Sequence, residues 1–371
     1  MAELKKILFV LPSLNGGGAE RVFTHIINRI DRNKFRPVLA LGLREGQFLD
    51  AIDPDIDIHV LGSYRARSLA LPLARLVWKL RPDVAFSTLG TNFALAAISP
   101  ILPSATKVIL REGSSPTAFL ADVRRLSPRR ADLYSKFYKY LYGRADLIIC
   151  QSDFMLDDIR RNFLIPLEKL KRIYNPVDSV KIDASYPEIP DDRFAGSSVN
   201  ILAVGRLSFE KGYDVLLRAF SIVRGSNPAA KLTLLGEGPE QEALEKLTND
   251  LNLAENVQFS GFEPDPYRYM HLSDLMVLPS RYEGFSNVMA ESWACGKAVV
   301  ATDCPGANRE IMIEGVNGWL AKSEDPVALA EKINLAIKEV PMLKADLIKA
   351  SCITRFSLET IIPQSESEFE K

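Results

Sequence analysis

The chain has 371 residues, 47% of them hydrophobic and 25% charged, enough apolar content to fill the cores of about two domains of ordinary size. No apolar run approaches the roughly 20 residues of a membrane-spanning helix, and the four cysteines (Cys150, Cys295, Cys304 and Cys352) are far apart without metal-ligand spacing, which reads as reduced thiols in a cytoplasmic protein. The net charge of −1 hides an asymmetry: of the 46 basic and 47 acidic residues, 1–180 hold 27 basic against 18 acidic, and the remainder 19 against 29. A basic half followed by an acidic half implies two domains facing different partners.

Apolar runs at about 7–11, 37–42, 56–61, 84–88, 106–110 and 147–150 alternate with helical patterns, which predicts a parallel sheet of βαβ units over residues 1–180. The N-terminus has only Ile7 to Leu11 as an apolar core and runs into a Gly-rich turn, so it reads as a first strand rather than a signal peptide. That turn, Asn15-Gly16-Gly17-Gly18-Ala19-Glu20-Arg21, opens a helix marked by Val22, Ile26, Ile27 and Ile30. Glycine there lets backbone approach a ligand, and free amides at a helix start suit phosphate. A dinucleotide site competes, with Glu45 imitating the ribose-binding acid, although Gly-x-Gly-x-x-Gly is absent. After the strand at 106–110 comes Arg111-Glu112-Gly113, an Arg–Glu pair at a strand's C-terminal end, where open sheets bind ligands; a surface ion pair is the plain alternative. The three histidines sit in ordinary contexts, and none is assigned to catalysis.

Residues 122–144 concentrate the basic charge: Arg124, Arg125, Arg129, Arg130, Lys136, Lys139 and Arg144 stand against Asp122 and Asp132, interleaved with Tyr134, Phe137, Tyr138, Tyr140 and Tyr142. A basic, aromatic helix is how a protein without a span adheres to an anionic bilayer. A helix with its aromatics in the core and its charges in solvent is the alternative. Nucleic acid is not assigned, since no recognised binding motif accompanies the patch.

The segment 181–198, with Pro187, Pro190 and Gly196, reads as a linker. A second domain then spans 199–356, and a C-terminal helix occupies 357–371. Its first strand runs to Gly205-Arg206-Leu207-Ser208-Phe209-Glu210-Lys211-Gly212, where Arg206 and Lys211 share one loop and can converge on a diphosphate, one as a fork and one as a point charge. Strand 231–235 ends in Gly236-Glu237-Gly238-Pro239, and strand 257–260 ends in Gly261-Phe262. The apolar run 275–279 leads into RYEGFSNVMAE at 281–291. There Gly284, Phe285, Ser286 and Asn287 form a strand-to-helix turn framed by Glu283 and Glu291. Free amides, the positive end of a helix dipole and two carboxylates able to accept from hydroxyls suit a nucleotide sugar. Farther on come a strand at Val299–Thr302 and Gly315-Val316-Asn317-Gly318-Trp319-Leu320, then helices over 326–338 and about 341–370.

These motifs together resemble those of the retaining family 4 glycosyltransferases of the GT-B fold. Glu283 and Glu291, separated by seven residues, are similar to the family's E-x7-E. GRLSFEKG resembles its G-R-x4-K-G, GEGP its nucleotide turn, GVNGWL its G-x-N-G-x-L strand, and GGGAER its first loop. The resemblance implies an α/β GT-B fold: two Rossmann-like, doubly wound parallel-sheet domains facing a cleft, the first binding acceptor and the second donor, with the C-terminal helix crossing back to the first. It implies transfer of a hexosyl or N-acetylhexosaminyl group, with retention, from a UDP-sugar to a glycan or lipid-linked acceptor in lipopolysaccharide, capsule or related cell-surface synthesis. Arg206 and Lys211 are then catalytic through charge on the leaving diphosphate, and Glu283 through the transferred sugar. Gly17, Gly18, Gly236, Phe262, Gly284, Phe285, Ser286 and Asn287 bind donor, Glu291 its ribose, and Arg111 and Glu112 stand on the acceptor side. No DxD-like metal site stands at a strand end with these other parts, so no metal or other cofactor is expected. The expected location is cytoplasmic, peripheral to the membrane through 122–144. A nucleotide-sugar epimerase of the same fold and a non-catalytic membrane-surface protein remain as alternatives; a pyridoxal-lysine context for a phosphorylase is not found.

Overall fold

The computed structural model describes residues 4–15, 17–186 and 199–371. They form two compact units, one running to Pro176 and resuming with Leu358–Lys371, the other spanning Val177–Ser357.

In the first unit, seven strands pair in parallel: β1 (Lys5–Leu11), β2 (Phe35–Leu41), β3 (Asp57–Val60), β4 (Val84–Thr88), β5 (Lys107–Arg111), β6 (Leu147–Cys150) and β7 (Leu170–Arg172), in the order 3-2-1-4-5-6-7. The central strands read as unbroken apolar runs because helices cover both faces, leaving no solvent side to demand alternation. One face carries Phe9 and Phe86, packed against Phe23 of the helix Gly18–Arg29; the other carries Leu8, Val10 and Leu110. Strand order reverses between β1 and β4, and their loops leave the sheet at that switch point.

The helix Leu358–Glu370 closes this first unit. Its Phe369 lies 5.3 Å from Phe86, 6.1 Å from Phe35 and 6.3 Å from Phe9, ring centre to ring centre. Lys107 Nζ donates to the Glu368 carbonyl at 2.9 Å, and Lys34 pairs with Glu370 at 2.9 Å. The region expected to be helical over about 341–370 holds two helices, Ala345–Phe356 and Leu358–Glu370, and the extended Ser357 between them belongs to the other unit.

The basic segment also departs from one long helix. Ser127 precedes Pro128, whose ring disfavours helical backbone at the residue before it. The chain therefore forms two helices, Pro116–Leu126 and Pro128–Tyr142, with Pro128 opening the second. Tyr138 and Tyr142 turn into the core, while Leu126, Leu133, Tyr134, Phe137 and Tyr140 stay exposed beside the basic side chains.

The second unit is a six-stranded parallel sheet: β8 (Asn200–Val204), β9 (Lys231–Leu235), β10 (Val257–Phe259), β11 (Leu275–Leu278), β12 (Val299–Asp303) and β13 (Gly318–Lys322), ordered 10-9-8-11-12-13. Renumbered from its own first strand this is 3-2-1-4-5-6, the doubly wound dinucleotide-binding order, with its switch point between β8 and β11. The stretch read as a linker opens inside a helix, Ser179–Ala184, capped by Asp178 and part of this unit; 187–198 lie outside the described residues. No helix of the described residues is long and apolar enough to cross a membrane.

Candidate functional site

In the second unit the loops that leave the sheet's C-terminal edge stack in strand order. Gly236 after β9 takes a positive φ of 137°, and a Cβ there would lie 2.0 Å from the Gly205 carbonyl after β8. Only glycine fits that approach. Gly236 N in turn donates to the Gly261 carbonyl at 2.7 Å, so the turn after β10, carrying exposed Phe262, is held to the same edge. On the other side of the switch point, a Cβ at Gly306 after β12 would meet the Glu283 carbonyl at 2.3 Å, and Glu283 N donates to the Pro305 carbonyl at 2.9 Å.

Two predicted residues meet at the centre. Lys211, from the short turn Phe209–Lys211 after β8, places its ammonium 2.6 Å from Oε1 of Glu283, from the loop after β11. The same oxygen accepts from buried Ser280 Oγ at 2.7 Å. Burial pulls the Lys211 pKa down, but the Glu283 carboxylate, with Glu210 behind it, raises it above the usual lysine value. Lys211 is therefore a fixed positive charge. With Oε1 shared by two donors, Oε2 of Glu283 is the carboxylate atom with more room to accept from a ligand hydroxyl.

Gly284, Phe285 and Ser286 are buried in the turn that starts the helix Asn287–Ala294. Phe285 packs its ring on Phe356 at 5.3 Å, leaving main chain as its offering to a ligand. Ser286 does not cap the helix with its hydroxyl; Oγ donates instead to Asn308 Oδ1 at 2.5 Å, and Asn308 Nδ2 donates to the Thr302 carbonyl at 2.9 Å. Arg206 is exposed. Glu291 is buried one turn into the helix, where burial and then its charge push the Cys352 thiol up to about 12. Among the described residues no group of three His, Cys, Asp or Glu side chains is placed to hold a metal ion.

In the first unit Gly17 precedes the helix that begins at Gly18, and a Cβ at Gly17 would sit 2.3 Å from Glu20 Oε2. Glu45, the imitation ribose acid, accepts instead from Asn15 Nδ2 at 3.3 Å. Arg111 and Glu112 are neither a surface pair nor partners of each other: both are buried, Arg111 as the last residue of β5 and Glu112 just beyond it, and each has its own partners. Arg111 is 1% exposed and donates from Nη2 to the Ile173 and Tyr174 carbonyls at 3.3 Å and to Asn175 Oδ1 at 2.6 Å, fastening β5 to the end of β7. Burial lowers its pKa to about 10. Glu112 accepts from the Tyr142 hydroxyl and from Gly113 N at 2.9 Å; burial pushes its pKa up to about 7. Tyr142, Asn92 and Asn175, all buried, are the parts of this network that sequence reading missed.

The chain is 30% identical over 366 residues, 94% of each sequence, to the Campylobacter jejuni N-acetylgalactosamine-N,N'-diacetylbacillosaminyl-diphospho-undecaprenol 4-alpha-N-acetylgalactosaminyltransferase. The family model described as Glycosyltransferase Family 4 matches residues 16–181, and the one described as Glycosyl transferases group 1 matches 188–351.

The chain belongs to the family 4 glycosyltransferases.

Its GT-B fold is shared with Anabaena HepE solved with UDP and glucose, at a TM-score of 0.80, 25% identity and 99% coverage of both chains. The Rhizobium meliloti lipopolysaccharide core biosynthesis glycosyltransferase LpsD is 30% identical over 177 residues, 47% of this chain and 48% of that one. As a glycosyltransferase of this family, the protein has the fold and the class of activity that its strand-end motifs imply.

Proposed function

We propose that this glycosyltransferase transfers a sugar, with retention, from a UDP-sugar to a lipid-linked glycan acceptor. The observation that carries the reading is the Lys211–Glu283 pair at the switch point of the second sheet, a fixed cation joined to a carboxylate with one oxygen to spare. Lys211 and Arg206 neutralise charge developing on the departing diphosphate, the contribution that dominates such reactions. Glu283 orients hydroxyls of the transferred sugar, main chain from Gly284 to Asn287 assists, and Glu291 holds the ribose. Side chains and a helix N-terminus supply the neutralising charge, so the reading requires no metal ion. The UDP seen in the HepE structure and the diphospho-undecaprenol in the name of the Campylobacter relative support donor and acceptor respectively.

The acceptor side belongs to the first unit. Exposed Leu126, Leu133, Phe137 and Tyr140 stand among exposed Arg124, Arg125, Arg129, Arg130, Lys136 and Lys139 on its paired helices. Near an anionic bilayer each basic residue contributes about 1 kcal/mol, and inserted aromatics add to this. That face brings the enzyme to the membrane surface from the cytoplasmic side. The test is a panel of nucleotide sugars screened by thermal shift, followed by mass spectrometry of products on lipid-linked acceptors. A UDP-sugar that stabilises the protein and adds one sugar mass to the acceptor supports the reading; donor epimerised or hydrolysed with no acceptor product overturns it.

A further inference from the structure

Lys211 and Glu283 come from loops that have no covalent reason to hold a 2.6 Å contact. One residue outside the assigned site touches both loops. Arg281, two positions before Glu283, donates from Nη1 and Nη2 to the two carboxylate oxygens of Asp214 at 2.9 and 2.8 Å, from Nη1 to the Phe209 carbonyl at 2.7 Å, and from Nε to Glu324 at 3.0 Å. Its guanidinium lies 4.2 Å from the Phe209 ring centre, and its main-chain N donates to the Glu210 carbonyl at 2.8 Å. Phe209, Glu210 and Asp214 bracket Lys211 on both sides. The side chain is only 12% exposed. Burial works against its charge, yet Asp214 and Glu324 raise its pKa above the ordinary arginine value, while Asp214 is held below the usual carboxylate range. The packing is equally close one residue on: Gly212, at a φ of 66°, has the Pro279 carbonyl 2.2 Å from where a Cβ would be.

We propose that Arg281 is the positioning residue of the donor site: by clamping the turn Phe209–Lys211 and Asp214 to the loop after β11, it holds Lys211 in place for the donor diphosphate. The inference rests on the donor reading above. A planar fork explains why arginine stands here, since bidentate pairing, stacking and a third hydrogen bond are beyond a lysine. Arg281 touches no donor in this account; it acts through Lys211.

The experiment is a double-mutant cycle on UDP affinity by calorimetry, with thermal melts alongside. Lys211→Met weakens UDP about tenfold or more, as loss of a charge-assisted hydrogen bond does, and Arg281→Met weakens it comparably. The double variant binds UDP no more weakly than Lys211→Met alone, because one step is removed twice. Arg281→Lys fails to restore affinity. Where Arg281→Met does not fold, Asp214→Asn completes the same cycle with the guanidinium still stacked. Fully additive losses, or a normal UDP affinity in Arg281→Met beside a lowered melting temperature, overturn the positioning role and leave the donor reading standing. Wild-type protein that binds no UDP, or Lys211→Met that binds it normally, overturns the donor reading and this inference with it.

Discussion

Replacing Glu283 by Gln keeps the shape of the side chain and removes its charge, which isolates what the carboxylate does for Lys211. In the native site Oε1 accepts from both Lys211 at 2.6 Å and Ser280 at 2.7 Å. A Gln has one acceptor oxygen and no charge, so the strongest force keeping Lys211 protonated disappears while burial remains. A charge-assisted hydrogen bond is worth about 1.5–3 kcal/mol. At about 1.4 kcal/mol per factor of ten this corresponds to a loss of roughly 10- to 150-fold in turnover. The pH dependence gives a sharper signature. A lysine whose pKa is raised on folding stabilises the protein at every pH below its ordinary value, and that stabilisation is lost as pH climbs through the raised one. Titration of Lys211 thus leaves native turnover flat across the neutral range, and Glu283→Gln moves the alkaline decline to lower pH. The assay is kcat against pH from about 7 to about 11, a window that includes the ordinary lysine value of about 10.4. A variant with native turnover and an unmoved alkaline limb refutes the coupling of the two residues.

Four further outcomes are expected. Arg206→Ala cuts turnover by roughly 10²-fold or more with folding intact; native kinetics in the variant would remove it from the diphosphate site. Glu291→Ala weakens UDP binding by about 1.5–3 kcal/mol in calorimetry, and unaltered affinity rejects the ribose role. Phe369→Ala, emptying a site among Phe9, Phe35 and Phe86, destabilises the first unit by about 3–5 kcal/mol in denaturant melts; a loss under about 1 kcal/mol would mean that the C-terminal helix does not hold that core. The protein co-sediments with anionic vesicles at low salt and is released at high salt, and changing Arg124, Arg125, Arg129 and Arg130 to Glu abolishes binding while sparing activity on a soluble acceptor. Wild-type protein left in the supernatant at low salt makes that face a solvated one.

Much of the sheet was legible because parallel strands buried on both faces announce themselves as apolar runs, and β1, β4, β8, β9 and β11 fall where those runs lie. The three-residue strand β7 was not, being too short to show a period. The site motifs were legible where loop chemistry is local, as in Gly205 to Gly212 and Glu283 to Asn287. Their assembly was not. Arg281 stood in plain view in RYEGF, but its main partner Asp214 is 67 positions away and carries no pattern of its own. Arg111-Glu112 misled in the opposite sense: adjacency in sequence suggested a pair, whereas Arg111 at the end of β5 turns to Asn175 and Glu112 just beyond it to Tyr142. The break at Ser127-Pro128 follows from the proline alone, whose ring disfavours helical backbone at Ser127.

The measurement closest to the central claim is the configuration of the new bond. The enzyme is incubated with an α-configured UDP-sugar and a lipid-linked saccharide, and the product is resolved by proton NMR. The account predicts one UDP released per sugar transferred and an α-linkage in the product. A β-linkage, or UDP released without any new glycosidic bond, would contradict it.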